Sequence, residues 1–211
     1  MALRRNKKKI QDDPTEEALP EVEGVRHLGP WDSTERSPGD DESYIDLGPL
    51  LVRVREGLEV QLPADGNAGE IGSVVLVAES AALELRAFAA TRSGGLWDEV
   101  RDDLILEVAR LDGECEQVEG IFGPELLVKV KVDLPNGEKG FQPSRIVGIE
   151  GPRWLLRATF LGDAGLNPSD EGLLIDTLRD VIVQRGPEPR IPRESLLLTV
   201  PSDATLISSE E

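Results

Sequence analysis

The chain has 211 residues, and its 41 acidic against 23 basic residues give a net charge of −18. The single Cys115 excludes an intramolecular disulfide and a metal cluster built from cysteines alone, and no run approaches the ~18–20 consecutive apolar residues of a membrane span. Because nothing near the N-terminus resembles a signal peptide, the sequence predicts a cytoplasmic protein of one domain with tails.

Residues 1–44 combine a basic start with an acidic linker and are predicted to be a disordered tail. Isolated apolar residues such as Trp31 fall into no period there, so the segment cannot bury enough surface to offset its ordering entropy. The basic start and Trp31 are candidate contacts with a partner, with nucleic acid or with an anionic membrane; a solubilising role is the alternative. The basic residues of this start are Arg4, Arg5, Lys7, Lys8 and Lys9.

Without those five residues, the rest of the chain holds 18 basic against 41 acidic residues. Affinity for nucleic acid rests largely on neutralising phosphates with Lys and Arg. We therefore expect that the folded part does not bind nucleic acid.

Residues 45–201 are predicted to form a single α+β domain, mostly antiparallel sheet with two amphipathic helices. Segment 50–63 indicates two strands around a Glu-Gly turn, and segments 73–80 and 82–91 indicate a second pair with more continuous apolar content. Segment 96–113 predicts a long helix, because five apolar residues recur there at helical spacing and a glycine suits its end. These five residues are Trp97, Val100, Leu104, Val108 and Leu111.

The second half of the body repeats this order of strands and helix. Strands are predicted at 114–122, 125–135, 141–150 and 153–162, with an Asn-Gly turn between the second and the third. A second helix is predicted over 171–186, with Asn167 as a cap and Pro168 at its first position, and with Val181 and Ile182 in its apolar stripe. A last strand is predicted at 194–201 and a disordered C-terminal tail at 202–211.

Two of these strands share a short sequence. Leu85-Arg86-Ala87 matches Leu156-Arg157-Ala158, and in each case a glycine-containing loop and one amphipathic helix follow. The match predicts a tandem duplication of a unit of three or four strands and a helix, in halves 45–113 and 114–186; chance similarity is the alternative.

The stretch "GIEGPRWLLRATFLGD", residues 148–163, is predicted to be a core strand. Its alternation points the aromatic residues Trp154 and Phe160 inward and Arg153 and Arg157 to the other face. The alternative is that these two arginines bind anions in a groove. The candidate partner-binding residues are Trp97, Arg153, Trp154, Arg157 and Arg86.

The sequence offers no recognisable catalytic group. The only histidine, His27, lies in the predicted tail, and Cys115 stands between two glutamates, which raise the pKa of a thiol. One histidine and one cysteine make a zinc site improbable. Either the group of Asp98, Asp102 and Asp103 or the pair Asp163 and Asp170 could hold Mg²⁺, but acids without a calcium-loop pattern are ordinarily surface residues. We therefore predict no catalytic residue, no metal and no cofactor.

The chain resembles an actinobacterial family of domains of unknown function. The resemblance lies in "RRNKKK", "GPWD", "IDLGPLLV", "GGLWDEVRDDL" and "GPRWLLRATFLG", and it covers nearly the full chain. It implies no established activity and no catalytic residue. Genes of this family often lie near a gene for a deoxyuridine triphosphatase and one for a small nucleic-acid-binding-type domain, which is only an association.

The lack of catalytic groups favours a non-enzymatic cytoplasmic binding or adaptor protein with a protein partner. The sequence leaves the identity of the partner and the oligomeric state open. One alternative is a divalent-metal-dependent enzyme that acts on a nucleotide or phosphoester. The other is attachment to nucleic acid or a membrane through the basic N-terminus.

Overall fold

A computed structural model describes residues 28–63, 70–133, 137 and 139–201. The predictions for the basic start (Arg4, Arg5, Lys7, Lys8 and Lys9), for His27 and for the C-terminal tail concern residues outside these ranges. The strands and helices of the described part are, in chain order, β1 (Trp31–Asp32), β2 (Tyr44–Asp46), β3 (Leu50–Arg53), β4 (Glu59–Gln61), β5 (Val74–Ala78), β6 (Ala81–Ala89), α1 (Leu96–Arg110), β7 (Glu114–Gly120), β8 (Gly123–Asp133), β9 (Lys139–Gly151), β10 (Trp154–Gly162), α2 (Asp163–Leu166), α3 (Leu173–Asp180) and β11 (Ile182–Val183).

These elements form two sheets. The larger one has seven strands in the order β4-β5-β6-β10-β9-β8-β7, and all of its neighbours are antiparallel. The smaller one has the order β1-β11-β3-β2, in which only the β1–β11 pair is parallel. The predicted α+β class with antiparallel sheets is confirmed.

The seven-stranded sheet has a separate core on each face, and strand β10 shows why. Its residues alternate, so Trp154, Leu156 and Phe160 enter a first core shared with the smaller sheet and α3, while Leu155 enters a second core beneath α1. All four are nearly or fully buried. The inward direction predicted for the aromatic residues of this strand is therefore confirmed.

Helix α1 follows its prediction over most of its length. Trp97 and Val108 are buried, and Val100 and Leu104 pack against the second core. Leu111 is different: it lies just past the last helical residue and is 57% exposed, so its place in the apolar stripe was wrong.

The second predicted helix is much shorter than its periodic pattern. Helix α3 ends at Asp180, and Val181 and Ile182 continue as extended chain into β11. Both are buried, and Val181 lies in the first core. β-Branched residues suit such a strand better than a helix interior, so tertiary pairing outweighs helical periodicity here. Asn167 follows the short α2 instead of capping α3.

The prediction of a strand at 194–201 is also wrong, although this segment contacts the sheet. It forms one isolated bridge, Ser195 with Phe88, and hydrogen bonds to the end of β6, to Ile71 and to Leu47. The two strands predicted in 50–63 exist as β3 and β4 but belong to different sheets. Residues 28–44, assigned to the tail from sequence, contribute β1 and the start of β2.

The structure does not confirm a tandem duplication. The matching strands β6 and β10 are antiparallel neighbours, with Arg86 directly opposite Arg157. The helices that follow them lie on opposite faces of the sheet, α1 on the second core and α3 on the first.

Candidate partner-binding surfaces

Two of the predicted site residues, Trp97 and Trp154, are buried in the two cores. Trp97 is 5% exposed, and its indole Nε1 donates a hydrogen bond of 2.7 Å to the carbonyl oxygen of Pro124. Trp154 is 0% exposed, and its Nε1 donates to the carboxylate of Asp32 at 2.7 Å. Each indole thus has a polar partner inside the protein, as buried tryptophans usually do.

Two glycines of β9 make room for these rings. A Cβ atom added at Gly148 would lie 2.1 Å from the ring of Trp97, and one added at Gly151 would lie 2.0 Å from the ring of Trp154. Real Cβ atoms do not approach other atoms so closely, because packed cores leave no spare volume. The two tryptophans therefore fit a core role, and the surface near them is provided by other residues.

The carboxylate of Glu150 holds the start of α1 beside Trp97. It accepts hydrogen bonds from the backbone N–H of Gly95 at 2.9 Å and of Trp97 at 3.0 Å. Gly95, the cap residue, has no side chain to offer, so an acid from β9 satisfies these N–H groups instead. This contact fixes α1 over one half of the sheet.

Helix α1 packs on β7, β8 and β9 of the larger sheet. On the same face of that sheet, side chains of β5, β6 and β10 are partly exposed. Strand pairing puts side chains of these three strands on one surface, because directly opposed residues share a face. We call this surface the open sheet face. Its residues are Val75, Val77, Glu84, Arg86, Phe88 and Arg157.

Predicted site residues Arg86 and Arg157 lie at the centre of the open sheet face. The guanidinium of Arg157 lies 5.7 Å from the ring centroid of Phe88, within the range of a cation–π contact. The Nε of Arg86 bonds Glu84 at 2.9 Å. Burial lowers the pKa of Arg157, an effect that the charge of Glu84 opposes and that of Arg86 reinforces. The Nε of Arg157 has no hydrogen-bond partner in the described part of the chain.

The remaining predicted arginine, Arg153, lies apart from this face. It occupies the tight turn between β9 and β10 with a left-handed backbone, φ 65°. Its carbonyl oxygen accepts a hydrogen bond of 2.8 Å from the N–H of Ala90. The turn thus separates Arg153 from Arg157. Burial lowers the pKa of Arg185, the charges of Arg153 and Arg190 lower it further, and that of Glu194 raises it; sequence reasoning selected neither Arg185 nor Arg190.

Sequence reasoning also missed an ion cluster around Asp180, the last residue of α3. The guanidiniums of Arg36, Arg53 and Arg55 approach its carboxylate at 3.0, 3.1 and 2.6 Å. Burial opposes ionisation of Asp180, yet the hydrogen bonds of Arg53 and Arg55 and the charge of Arg36 outweigh it, so the pKa is lowered. We call these four residues the Asp180 cluster.

Trp31, the tail residue predicted to contact a partner, adjoins this cluster. It pairs with Ile182 in the smaller sheet, and the guanidinium of Arg36 lies 5.7 Å from its ring centroid. Arg53 and Arg55 stand two residues apart in "VRVRE", which indicates that they share one face of a strand. Nothing near them in the sequence points to Asp180.

A second ion group is buried between β8 and β9. Arg145, with 2% of its side chain exposed, binds the carboxylate of Glu125 at 2.9 Å and that of Asp170 at 2.9 Å. Burial raises the pKa of Glu125 despite this partner. Asp163 accepts a hydrogen bond from Ser80. Asp163 and Asp170, one of the two groups considered for Mg²⁺, are therefore engaged with protein groups.

Other site types have less support. The described residues contain no group of three or more His, Cys, Asp and Glu side chains arranged to hold a metal ion. Cys115 faces the second core, and burial raises the pKa of its thiol.

A cleft of about 260 Å³ lies between β7–β9 and α2, lined by residues that include Cys115, Leu127 and Leu166. No helix in the described ranges combines the length and apolar character that a membrane crossing requires.

Comparison with known proteins gives a family but no activity. A family model described as a protein of unknown function (DUF3710) matches residues 29–206. This range takes in all the strands and helices of the described part. No curated protein matches the chain.

Proposed function

The chain belongs to this family of proteins of unknown function, and we propose that it acts in the cytoplasm as a non-enzymatic binding module for a protein partner. The observation that carries the proposal is the open sheet face. Half of one face of the larger sheet is covered by α1, while the other half presents valines, an aromatic ring and two arginines at its surface.

The chemistry of this face suits a peptide or protein surface. Val75, Val77 and Phe88 supply apolar area. Covering such partly exposed apolar groups with a partner removes them from water, which favours binding. Arg157 adds a delocalised cation stacked on Phe88, and arginine and aromatic residues are enriched at binding hot spots. The partner that fits best presents an acidic side chain next to apolar ones.

The proposal also agrees with the engagement of the other charged groups. The acids around α2 bind Arg145 or Ser80, and the carboxylate of Asp180 binds three arginines. A reaction would need a reactive group poised in a pocket. The open sheet face instead offers area and charge, which are the requirements of recognition.

The experiment compares matched variants of the full chain. Immobilised wild-type protein captures partners from native lysate, and each candidate partner is then purified and titrated against wild type, Val77→Asp, Arg157→Ala and Leu106→Asp. Leu106 is the control, because it is 57% exposed on α1, outside the open sheet face. We expect binding at least ten-fold weaker for the first two variants and unchanged for the control.

Two results would overturn the proposal. One is a purified partner that binds wild type, Val77→Asp and Arg157→Ala with equal affinity while all three unfold at similar temperatures. The other is an absence of any protein retained above the level of an unrelated acidic control protein.

A further inference from the structure

The cleft between β7–β9 and α2 presents apolar surface to solvent. Leu166 of α2 is 57% exposed and lines the cleft together with Leu127, Pro143 and Pro168. Phe141, which stands two residues before Pro143 and shares its face of β9, is 58% exposed. Pockets for small molecules usually measure about 300–1,000 Å³, whereas this cleft measures about 260 Å³. It therefore suits one or two side chains of a bound peptide better than a cofactor.

Strand β7 borders the cleft and is an edge of the larger sheet. It pairs with β8 on one side only. Among the described residues, no backbone–backbone hydrogen bond from outside the sheet engages Glu114–Gly120. Such an edge leaves N–H and C=O groups along its outer side, to which an extended peptide can pair as an added strand.

Glutamates give this edge a negative charge. Glu114 and Glu116 line the cleft, and Glu119 lies on the opposite face of the same strand. Lys129 also lines the cleft and lies 4.0 Å from Glu114, whereas the exposed Glu116 has no ion pair within the described ranges. Like charges disfavour pairing with β7 of a second copy, and a basic peptide is attracted instead.

A short series of contacts links the N-terminal end of the described chain to this cleft. A Cβ atom added at Gly29 would lie 1.9 Å from the carbonyl oxygen of Arg179. The guanidinium of Arg179 donates to the carbonyl of Asp170 at 3.2 Å, two residues after Pro168 of the cleft. Residues 11–27 can span about 55 Å when extended, and β9 and β7 are only about 10 Å apart. The residues before them can therefore reach β7.

The segment "LRRNKKKI", residues 3–10, has the pattern that this edge requires. In an extended peptide, alternate side chains share one face. Leu3, Arg5, Lys7 and Lys9 would then point the same way, which combines one apolar side chain with three basic ones. The cleft offers the complement on a single face of β7 and β8, apolar surface beside glutamates.

We propose that this segment docks on β7 of its own chain as an added strand, with Leu3 in the cleft and its basic side chains beside Glu114 and Glu116. Docking covers the apolar cleft and occupies the basic start, which is then not free to contact nucleic acid or an anionic membrane. The cleft and the open sheet face lie on opposite faces of the larger sheet, so this proposal does not rest on the proposed function.

The test measures broadening of amide NMR signals by a nitroxide label near the N-terminus of the full chain. The label is attached at Ala2→Cys, and Cys115→Ala removes the only other thiol. At low ionic strength we expect the oxidised label to broaden the signals of β7 and α2 and to leave those of β4, at the other edge of the sheet, unchanged. Reduction of the label provides the reference spectrum.

Charge reversal tests the contact itself. Glu116→Lys and Lys7→Glu should each lower the broadening at β7 at least two-fold, and the chain carrying both substitutions should recover it. Lys7 lies outside the described residues, so Lys7→Glu alters the contact without altering the cleft. Glu59→Lys is the matched control, because Glu59 is an exposed glutamate on the opposite edge strand, and it should leave the broadening unchanged.

Three results would overturn the proposal. The first is an absence of broadening at β7 and α2, and the second is an equal loss in Glu59→Lys and Glu116→Lys without recovery in the doubly substituted chain. The third comes from mixing nitroxide-labelled chains with isotope-enriched chains that carry no nitroxide. Broadening of β7 in that mixture would show that the segment docks on a second copy.

Discussion

In the Asp180 cluster, three guanidiniums converge on one carboxylate at distances from 2.6 to 3.1 Å, whereas Arg153, Arg185 and Arg190, near the β9–β10 turn, have a single ion pair among them, that of Arg190 with Glu194. The first group ties the end of α3 to β3 and to the segment before β2. In the second group, Arg190 pairs with Glu194 at 2.8 Å, while Arg185 donates to backbone carbonyls of its own loop. The comparison shows that several arginines near one another do not by themselves form an ion cluster; the carboxylate that the fold supplies among them does.

The strongest way to break this comparison is to remove the shared carboxylate. Asp180→Asn leaves three arginines facing one another without the charge that holds them. Because the carboxylate is largely buried, we expect the free energy of unfolding to fall by about 2–4 kcal/mol. Urea denaturation of both proteins measures the difference. A loss below ~1 kcal/mol would mean that the cluster is dispensable, as exposed ion pairs commonly are.

The same carboxylate predicts a dependence of stability on pH. The pKa of Asp180 in the folded protein lies below its ordinary value of 3.8. The stabilisation from this carboxylate is therefore fully present above pH 3.8 and is lost as the pH falls through the lowered pKa of the folded state. The gap in unfolding free energy between wild type and Asp180→Asn should therefore be constant at neutral and mildly acidic pH and close in stronger acid. Denaturation curves over this range provide the measurement, and a gap that widened in acid would contradict the assignment.

At Arg153 the expected effect is smaller and has the opposite sign. Arg153→Gly removes the left-handed strain but adds freedom to the unfolded chain, so we expect a net gain of about 0.5–1 kcal/mol in the free energy of unfolding. The midpoint of urea denaturation reports it. A clear loss of stability would show that the guanidinium of Arg153 is part of the structure.

The smallest effect is expected for Arg185→Ala. Its described hydrogen bonds go to carbonyls of its own exposed loop, so we expect the free energy of unfolding to change by less than ~0.5 kcal/mol. Thermal and urea denaturation both test this. If the variant lost more than ~1.5 kcal/mol, the two arginine groups would be alike and the comparison would fail.

Sequence patterns predicted the elements whose burial follows a local period. Strand β10 alternates and α1 repeats at helical spacing, so each shows its inward face within a few residues. The end of α3 could not be found in this way. Val181, Ile182 and Val183 continue the apolar pattern, and only the pairing of Ile182 and Val183 with β1 and β3 makes them a strand.

The candidate sites were predictable only in part, for a similar reason. Arg86 and Arg157 were found because each stands in a recognisable strand, and register places them opposite one another. Arg153 was selected, but its neighbours Arg185 and Arg190 lie in a proline-rich loop without periodicity. Asp180 resembled an ordinary helix residue, because its partners come from the far side of the chain.

The position of β11 between β1 and β3 also affects how the protein can be made. Trp31 pairs with Ile182, and these residues leave the ribosome far apart in time. At roughly 5–20 residues per second, about 8–30 seconds pass between the synthesis of the two. During that interval β1 lacks its neighbour in the sheet. For most of the same time Asp32 also lacks its hydrogen-bond donor, the indole of Trp154. The smaller sheet is therefore completed only once Val183 has been synthesised, by one of its two inner strands.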